Sequence, residues 1–301
     1  MANAFRTGAD GPTGPSPNPG GGASASPRSG DRIEVWQLSV AAWSGRLPAC
    51  RALLSADEAA RINRLVFPRD RAVRTVARAS LRCILARELA RPPNRIELTQ
   101  TAHGKPVLTA DASDLQFSTS HSSDVVLHAV TRGRNVGVDV EAIGCEPSDA
   151  TLVRTTFSTP EAEYLERLPS AEQPAAFYRI WTRKEAYLKA LGLGLSHPLQ
   201  GFAVADADLA DGRIRDVATG RLLAGWRLHP LAAPAGYAAC LAFDQPPAAV
   251  MARPCSPAIL DDLAAPPPRG SPSTGTSQTI APVRASIATS CPGIVPRSEP
   301  K

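Results

Sequence analysis

The chain has 301 residues, 43% of them hydrophobic, and a formal net charge of +5, enough to bury a sizeable core as one large domain or two small ones. No apolar run approaches the roughly 20 residues of a membrane span, and no aromatic-rich strand or basic block accompanies the positive charge, which argues against a transmembrane protein and a nucleic-acid binder. A polyanionic small molecule or an acidic protein accounts for the basic excess equally well.

Met1 to about Ser29 is a Gly/Pro/Ser/Ala run with few large apolar residues. It cannot bury enough surface to offset the entropy of ordering it, so residues 1–30 are predicted to be a disordered tail. It holds no continuous apolar segment and does not read as a secretory signal. Residues 33–38 alternate apolar and polar side chains, as a first strand would. Ser55 opens a helix, with Glu58 three residues on completing a capping-box signature and Ala59, Ile62, Leu65 and Val66 forming its apolar stripe. After Pro68 a longer helix is predicted over about 70–90, buried through Val73, Val76, Ala77, Leu81, Ile84, Leu85 and Leu89 and stopped by Pro92 and Pro93. Arg71, Arg74, Arg78 and Arg82 form a basic stripe on another side of it; arginines so placed are ordinarily surface solubilisers, and Arg78 and Arg82 are read as such.

Short strands follow at 96–99, 105–108, 115–119, 125–130 and 136–141. A short helix at 159–168 and a long one at 173–191 come next, the latter closed by Gly192 and Gly194. Strands are predicted again at 201–205, 221–228 and 237–243. From Gln245 the chain is rich in Pro, Ala, Ser and Thr, and 245–301 are predicted to be a second disordered tail. The order strand, helices, strands thus occurs twice. That pattern predicts an α+β architecture in two comparable halves, 31–133 and 134–244, jointed near 132–136.

The six cysteines, at 50, 83, 145, 240, 255 and 291, include no CxxC pair, so neither a zinc site nor a disulfide framework is indicated. Cys83 falls in an apolar helical pattern as a small core residue. A reducing cytoplasm is the expected compartment.

Two segments carry candidate chemistry. In 136–142 apolar residues alternate with acids, so Asp139 and Glu141 leave the same face of a strand. They are open to two readings: the solvent face of an edge strand, or oxygen donors to a hard cation such as Mg²⁺, which takes one or two carboxylates with phosphate oxygens and water. The helix at 173–191 carries Glu185, with Lys184 and Lys189 nearby. Glu185 and Lys189 are spaced for a surface ion pair worth a few tenths of a kcal/mol, but Trp181, one turn earlier on that stripe, argues against a plainly solvated face. Lys184 shares a stripe with Phe177, Ile180, Tyr187 and Leu188, and either snorkels to solvent or reaches for an anion. Ser120-His121-Ser122 lacks the GxSxG elbow of a hydrolase.

Four motifs occur in order: His103-Gly-Lys-Pro106, Phe117-Ser-Thr-Ser-His-Ser122, Gly137-Val-Asp-Val-Glu141 and Trp181-Thr-Arg-Lys-Glu-Ala-Tyr-Leu-Lys189. With Gly192-Leu-Gly-Leu195 and Pro198-Leu-Gln-Gly-Phe202 after them, they resemble the surfactin-type 4′-phosphopantetheinyl transferases of the holo-carrier-protein synthase superfamily, over about residues 31–243. One departure is visible: Ser118 stands where the family usually has Asn, which bears on a local turn hydrogen bond rather than on the chemistry.

The resemblance implies two similar α/β halves in a pseudo-two-fold arrangement. It implies transfer of the 4′-phosphopantetheine arm of coenzyme A to a serine of an apo acyl or peptidyl carrier protein, with release of 3′,5′-ADP. Mg²⁺ would be held by Asp139, Glu141 and Glu185. Glu185, the candidate base, and Lys189, which steadies the leaving group, would be the catalytic residues. Lys105, Pro106, Ser120 and His121 would hold the nucleotide end of coenzyme A, Lys105 and His121 near its 3′-phosphate. Lys184 and Lys189 would face phosphates. Arg74 occupies about the place of a phosphate-binding arginine, and Arg61 is a second candidate once a one-residue gap is allowed. The implied partners are coenzyme A and the apo carrier protein, with no nucleic acid and no membrane, and the two-half chain is expected to be a monomer. Two alternatives are a non-catalytic carrier-protein or nucleotide-binding module of the same fold, and a metal-dependent phosphodiesterase. The intact acid triad speaks against the first, and the absence of an attacking-water base and a nucleic-acid surface against the second.

Overall fold

Arg32–Ser39 forms strand β1, which buries Ile33 and Val35 on one face and Trp36 and Leu38 on the other. This computed structural model describes residues 32–109, 114–144, 150–194, 198–205, 212–244 and 249–262; the predicted tail at 1–30, residues 263–301, Cys145 and Cys291 lie outside them. A 3-10 turn at Ala41–Arg46 and helix α1 (Leu47–Ala52) seat Trp43 and Cys50 in the core. The capping box predicted at Ser55 starts α2 (Ala56–Asn63): Ser55 N donates to Glu58 Oε2 at 2.9 Å and Glu58 N to Ser55 Oγ at 3.3 Å. Pro68 begins α3 (Pro68–Leu89), which closes on Ala90 in the left-handed conformation. Strands β2 (Leu98–Gln100), β3 (Pro106–Leu108), β4 (Leu115–Ser122) and β5 (Val125–Arg132) complete the first half.

The second half repeats the plan. Strand β6 (Val136–Ala142) is followed by α4 (Ala150–Thr156), α5 (Thr159–Arg167) and the long α6 (Gln173–Leu191). Strands β7 (Phe202–Ala203), β8 (Arg215–Asp216), β9 (Trp226–Pro230) and β10 (Tyr237–Asp244) come after. The fold class is α+β, as predicted.

The predicted tail beginning at 245 needs correction. Residues Ala249–Pro254 form β11, parallel to β1, with Ile33 opposite Val250 and Val35 opposite Ala252, and α7 (Ile259–Asp262) follows. The parallel return covers the edge of β1 that would otherwise present unpaired backbone groups. Cys255 and Ile259 enter the first-half core. Its apolar residues, Ala249, Val250, Met251 and Ala252, run together instead of alternating with polar ones, and the Pro- and Ala-rich surroundings hid the strand.

Among the described residues two larger sheets, ordered β11-β1-β5-β4 and β6-β10-β9, stand beside the two-stranded pairs β2-β3 and β7-β8. Period-two alternation gives each an inner and an outer face. Ile33, Val35, Leu127 and Ala129 of the first sheet meet Val136, Val138, Val140, Leu241 and Phe243 of the second in a shared core. On the outer faces, Trp36, Val126 and Val130 pack under Val76, Ile84 and Leu85 of α3, while Cys240, Ala242 and Leu228 pack with Phe177, Ile180 and Leu188 of α6. One long helix therefore backs each sheet.

The basic stripe on α3 also departs from expectation. Arg82 is buried: its Nε donates to Glu58 Oε2 at 2.9 Å and its Nη1 to the carbonyls of Pro93 and Ile96 at 2.9 and 2.7 Å. This guanidinium ties α2 to the chain leaving α3, so it is a structural brace rather than a solubiliser.

Candidate active site

The acids on β6 stand where they do because of Gly137. A Cβ at that position would lie 2.0 Å from Ala186 O and 2.4 Å from Ala190 N, so only glycine lets α6 lie against the strand. Val136, Val138 and Val140 turn into the shared core. Asp139 and Glu141 therefore leave the opposite face, alongside α6, and Asp139 is buried.

β4 and β6 are edge strands of different sheets, and side chains join them. The hydroxyls of Ser118, Ser120 and Ser122 accept hydrogen bonds from Val138 N (3.1 Å), Val140 N (3.4 Å) and Ala142 N (3.0 Å). Ser118 thus makes a cross-strand bond within a strand, and the turn bond expected at this position is not what the residue provides. Ser120 Oγ also donates to Asp139 Oδ1, and Ser122 Oγ to Glu141 Oε2, each at 2.7 Å.

Lys189 completes the cluster from α6. Its Nζ donates to Asp139 Oδ1 at 2.6 Å and to Ser120 Oγ at 3.0 Å. Burial alone would pull this ammonium's pKa down, but the charges of Asp139, Glu185 and Glu141 outweigh it and raise the pKa above its ordinary value. All three predicted acids therefore act on one cation, with Glu185 a single helical turn before Lys189. The Lys189 side chain keeps 30% of its surface accessible, so the cluster is reachable from outside.

The other predicted residues divide. Lys105 crosses from the first half to the second: its Nζ lies 3.4 Å from Val136 O and 3.5 Å from Ala190 O, and its stem rests 3.5 Å from where a Cβ on Gly192 would be. Burial lowers its pKa. Pro106 begins β3 opposite Gln100, and His121 is half-buried near the end of β4, opposite Val126. Arg61 and Arg74 are exposed and share one electrostatic neighbourhood with Arg78, Arg82 and Glu58.

Lys184 is placed elsewhere, against the expectation that it faces phosphate. It is fully buried, 2.8 Å from Glu161 Oε2, and it donates to Leu199 O (2.7 Å) and Phe202 O (2.6 Å) over the Phe202 ring. Its three N–H donors are thereby all engaged. Sequence reasoning missed this partner although Ser158-x-x-Glu161 is a capping-box signature, and the box is formed. It also missed Ser118 and Ser122, which with Ser120 alternate at the two-residue spacing of Asp139 and Glu141.

Among the described residues no three His, Cys, Asp or Glu side chains are drawn together in metal-ligand geometry. The donors nevertheless suit a hard divalent cation. They are oxygens only, and among the described residues Asp139 Oδ2 is buried with no hydrogen-bond partner, an arrangement that costs free energy unless something positive meets it. Mg²⁺, which keeps waters and takes phosphate oxygens, does not require a ready-made protein cage.

Comparison with known proteins points to one family through both halves. Residues 34–132 match the sequence model described as 4′-phosphopantetheinyl transferase, N-terminal, and residues 135–242 that of the 4′-phosphopantetheinyl transferase superfamily. The chain is 36% identical over 168 residues to the 4′-phosphopantetheinyl transferase HetI of Nostoc sp., covering 55% of this chain and 71% of HetI. It is 33% identical over 176 residues to the human L-aminoadipate-semialdehyde dehydrogenase-phosphopantetheinyl transferase, 55% of this chain and 56% of that protein. With a phosphopantetheinyl transferase of Thraustochytrium sp. it shares 34% over 185 residues, 56% of this chain and 64% of the relative. Through both halves, and with the acids, serines and lysine of the cluster inside the matched regions, the chain belongs to the 4′-phosphopantetheinyl transferase superfamily.

Proposed function

We propose that this chain is a surfactin-type enzyme that transfers the 4′-phosphopantetheine arm of coenzyme A to a serine of an apo acyl or peptidyl carrier protein, releasing 3′,5′-ADP. The observation that carries the reading is the Lys189 ammonium bound to Asp139 and held protonated by the charges of Asp139, Glu185 and Glu141, with one buried Asp139 oxygen left without a hydrogen bond among the described residues. Asp139, Glu141 and Glu185 are the side chains that would hold Mg²⁺. That ion, when bound, supplies positive charge to offset what builds on the diphosphate as a P–O bond breaks.

The chain's own groups do the rest. Glu185 accepts the proton of the carrier serine as its oxygen attacks the β-phosphorus. Among the described residues, two of the three donors of Lys189 are engaged, by Asp139 and Ser120, and the third serves a phosphate oxygen of the leaving 3′,5′-ADP. Its raised pKa keeps it protonated for that task. Lys105, Pro106, Ser120, His121, Arg74 and Arg61 are assigned to the nucleotide and its phosphates. Catalysis is then mainly positioning and charge stabilisation, as in other phosphoryl transfers. The reading has the chain acting in the cytoplasm as a monomer. No helix among the described residues is long and apolar enough to cross a membrane.

Mass spectrometry of candidate apo carriers after incubation with the enzyme, coenzyme A and Mg²⁺ tests the reading. The expected result is a carrier bearing the arm, with 3′,5′-ADP released only when the acceptor is present. Release without acceptor would mark a hydrolase instead, and binding without turnover a non-catalytic module.

A further inference from the structure

Three rungs cross from β4 to β6 in one register. Ser120 and Ser122 donate to the acids nineteen positions on, Asp139 and Glu141, and the residue nineteen positions after Ser118 is Gly137. In every rung the serine hydroxyl accepts a backbone N–H of β6, at Val138, Val140 and Ala142. A hydroxyl has one proton. With a lone pair committed to the N–H, the proton of Ser122 is directed along its other short contact, to Glu141 Oε2 at 2.7 Å. The backbone of β6 thus sets the polarity of the bond, and the carboxylate is always the acceptor.

We infer that Ser122 is a positioning residue for Glu141: it holds Oε2 by a donated hydrogen bond and so presents Oε1 in a fixed direction. This rests on the reading of Glu141 as a metal ligand. Glu141 needs such help more than its neighbour does. Asp139 is short, buried and held at Oδ1 by both Ser120 and Lys189. Glu141 is longer and half-buried, so it has more rotameric freedom than Asp139 to lose when a cation binds. Partners of this outer kind commonly tune metal affinity by about 10–100-fold.

The ladder supplies its own control. Ser118 makes the same inter-sheet bond as Ser122, but the residue at the offset of Glu141 is Gly137, which has no carboxylate. Mn²⁺ binding to the full chain in the presence of coenzyme A, followed by electron paramagnetic resonance, reads the metal apart from turnover. Ser122→Ala is expected to weaken Mn²⁺ about tenfold, Ser122→Thr to restore it because the hydroxyl returns, and Ser118→Ala to leave it at the wild-type value while lowering thermal stability. Should Ser122→Ala not fold, Ser122→Cys, with a weak donor of similar size, is expected to fall in the same direction. The inference is overturned if Ser122→Ala binds Mn²⁺ like the wild type, if Ser118→Ala loses as much, or if Ser122→Thr does not recover. Wild-type protein with no saturable Mn²⁺ binding would overturn the metal reading itself, and this inference with it.

Discussion

Glu161 and Lys184 form an ion pair, Oε2 to Nζ 2.8 Å, in which neither side chain has any accessible surface. Glu161 also accepts from Ser158 N and Val204 N, at 2.9 and 2.8 Å, and Lys184 donates to two carbonyls after α6. One buried pair thereby fastens the start of α5, the middle of α6 and residues 199–204 together. Lys184 and Glu185 are consecutive, yet one braces the helix from behind while the other joins the acids in front.

Lys184→Met should therefore act on stability rather than on the cofactor. It strands the Glu161 carboxylate in the interior, a loss of about 3–5 kcal/mol, readable as a lower urea midpoint. Assayed where the variant is still folded, its KM for coenzyme A is expected to match the wild type. A raised KM in folded protein would return Lys184 to the phosphates.

Removing charge from the acid cluster should do the reverse. Asp139→Asn and Glu185→Gln keep the side-chain volume, and each is expected to lower transfer by about a hundredfold or more, the scale seen when one group stabilising developing charge is deleted. Circular dichroism should stay native. Full activity in either variant would remove that residue from the mechanism.

Gly137 touches no substrate in this account, yet Gly137→Ala should be damaging. Its methyl would meet the α6 backbone at 2.0 Å, forcing the helix from β6. Overpacking of this kind costs about 1–3 kcal/mol, and Lys189 and Glu185 would move with the helix. The variant is expected to lose both thermal stability and transfer; unchanged activity would mean that the spacing of strand and helix is not what sets the site.

His128 is wholly buried on β5, with Nε2 2.8 Å from Ser80 Oγ. Burial, and then the charge of Arg78, push its pKa down to about 3. In the unfolded chain it titrates near 6.5. Its contribution to stability is therefore complete above about pH 6.5, and falls by about 1.4 kcal/mol per pH unit as the pH drops towards 3, because only the unfolded state takes up the proton. His128→Gln is expected to flatten that part of a thermal-stability profile relative to the wild type. Parallel profiles over pH 4–6.5 would contradict the assignment.

The C-terminal boundary gives a further test. Ending the chain at Asp262 should preserve stability and transfer. Ending it at Asp244 removes β11 from β1 and takes Cys255 and Ile259 from the core, and is expected to lower the melting temperature markedly. Equal melting temperatures for the two truncations would make the β1–β11 pairing dispensable.

The acids of β6 were legible as a same-face pair because strand periodicity is local, and the order of four motifs was enough to suggest the family. The capping box at Ser55, the helix at 173–191 and the core role of Cys83 were legible for the same reason: each depends on residues within a few positions of one another. The turn and helix at 41–52 carry no strong period, and β11 was hidden in a Pro- and Ala-rich run.

What stayed out of reach depended on contacts across long separations. The periodicity of α6 left open whether Lys184 met a phosphate, water or a carboxylate, because its partner lies twenty-three positions away on another helix. Nor could spacing show that three alternating serines would fall in register with two alternating acids across two sheets. Local sequence determined which face each side chain leaves; the packing of α6 on Gly137 and of β4 beside β6 decided what that side chain meets, since charge and hydrogen bonding act over a few ångströms of space and take no account of distance along the chain.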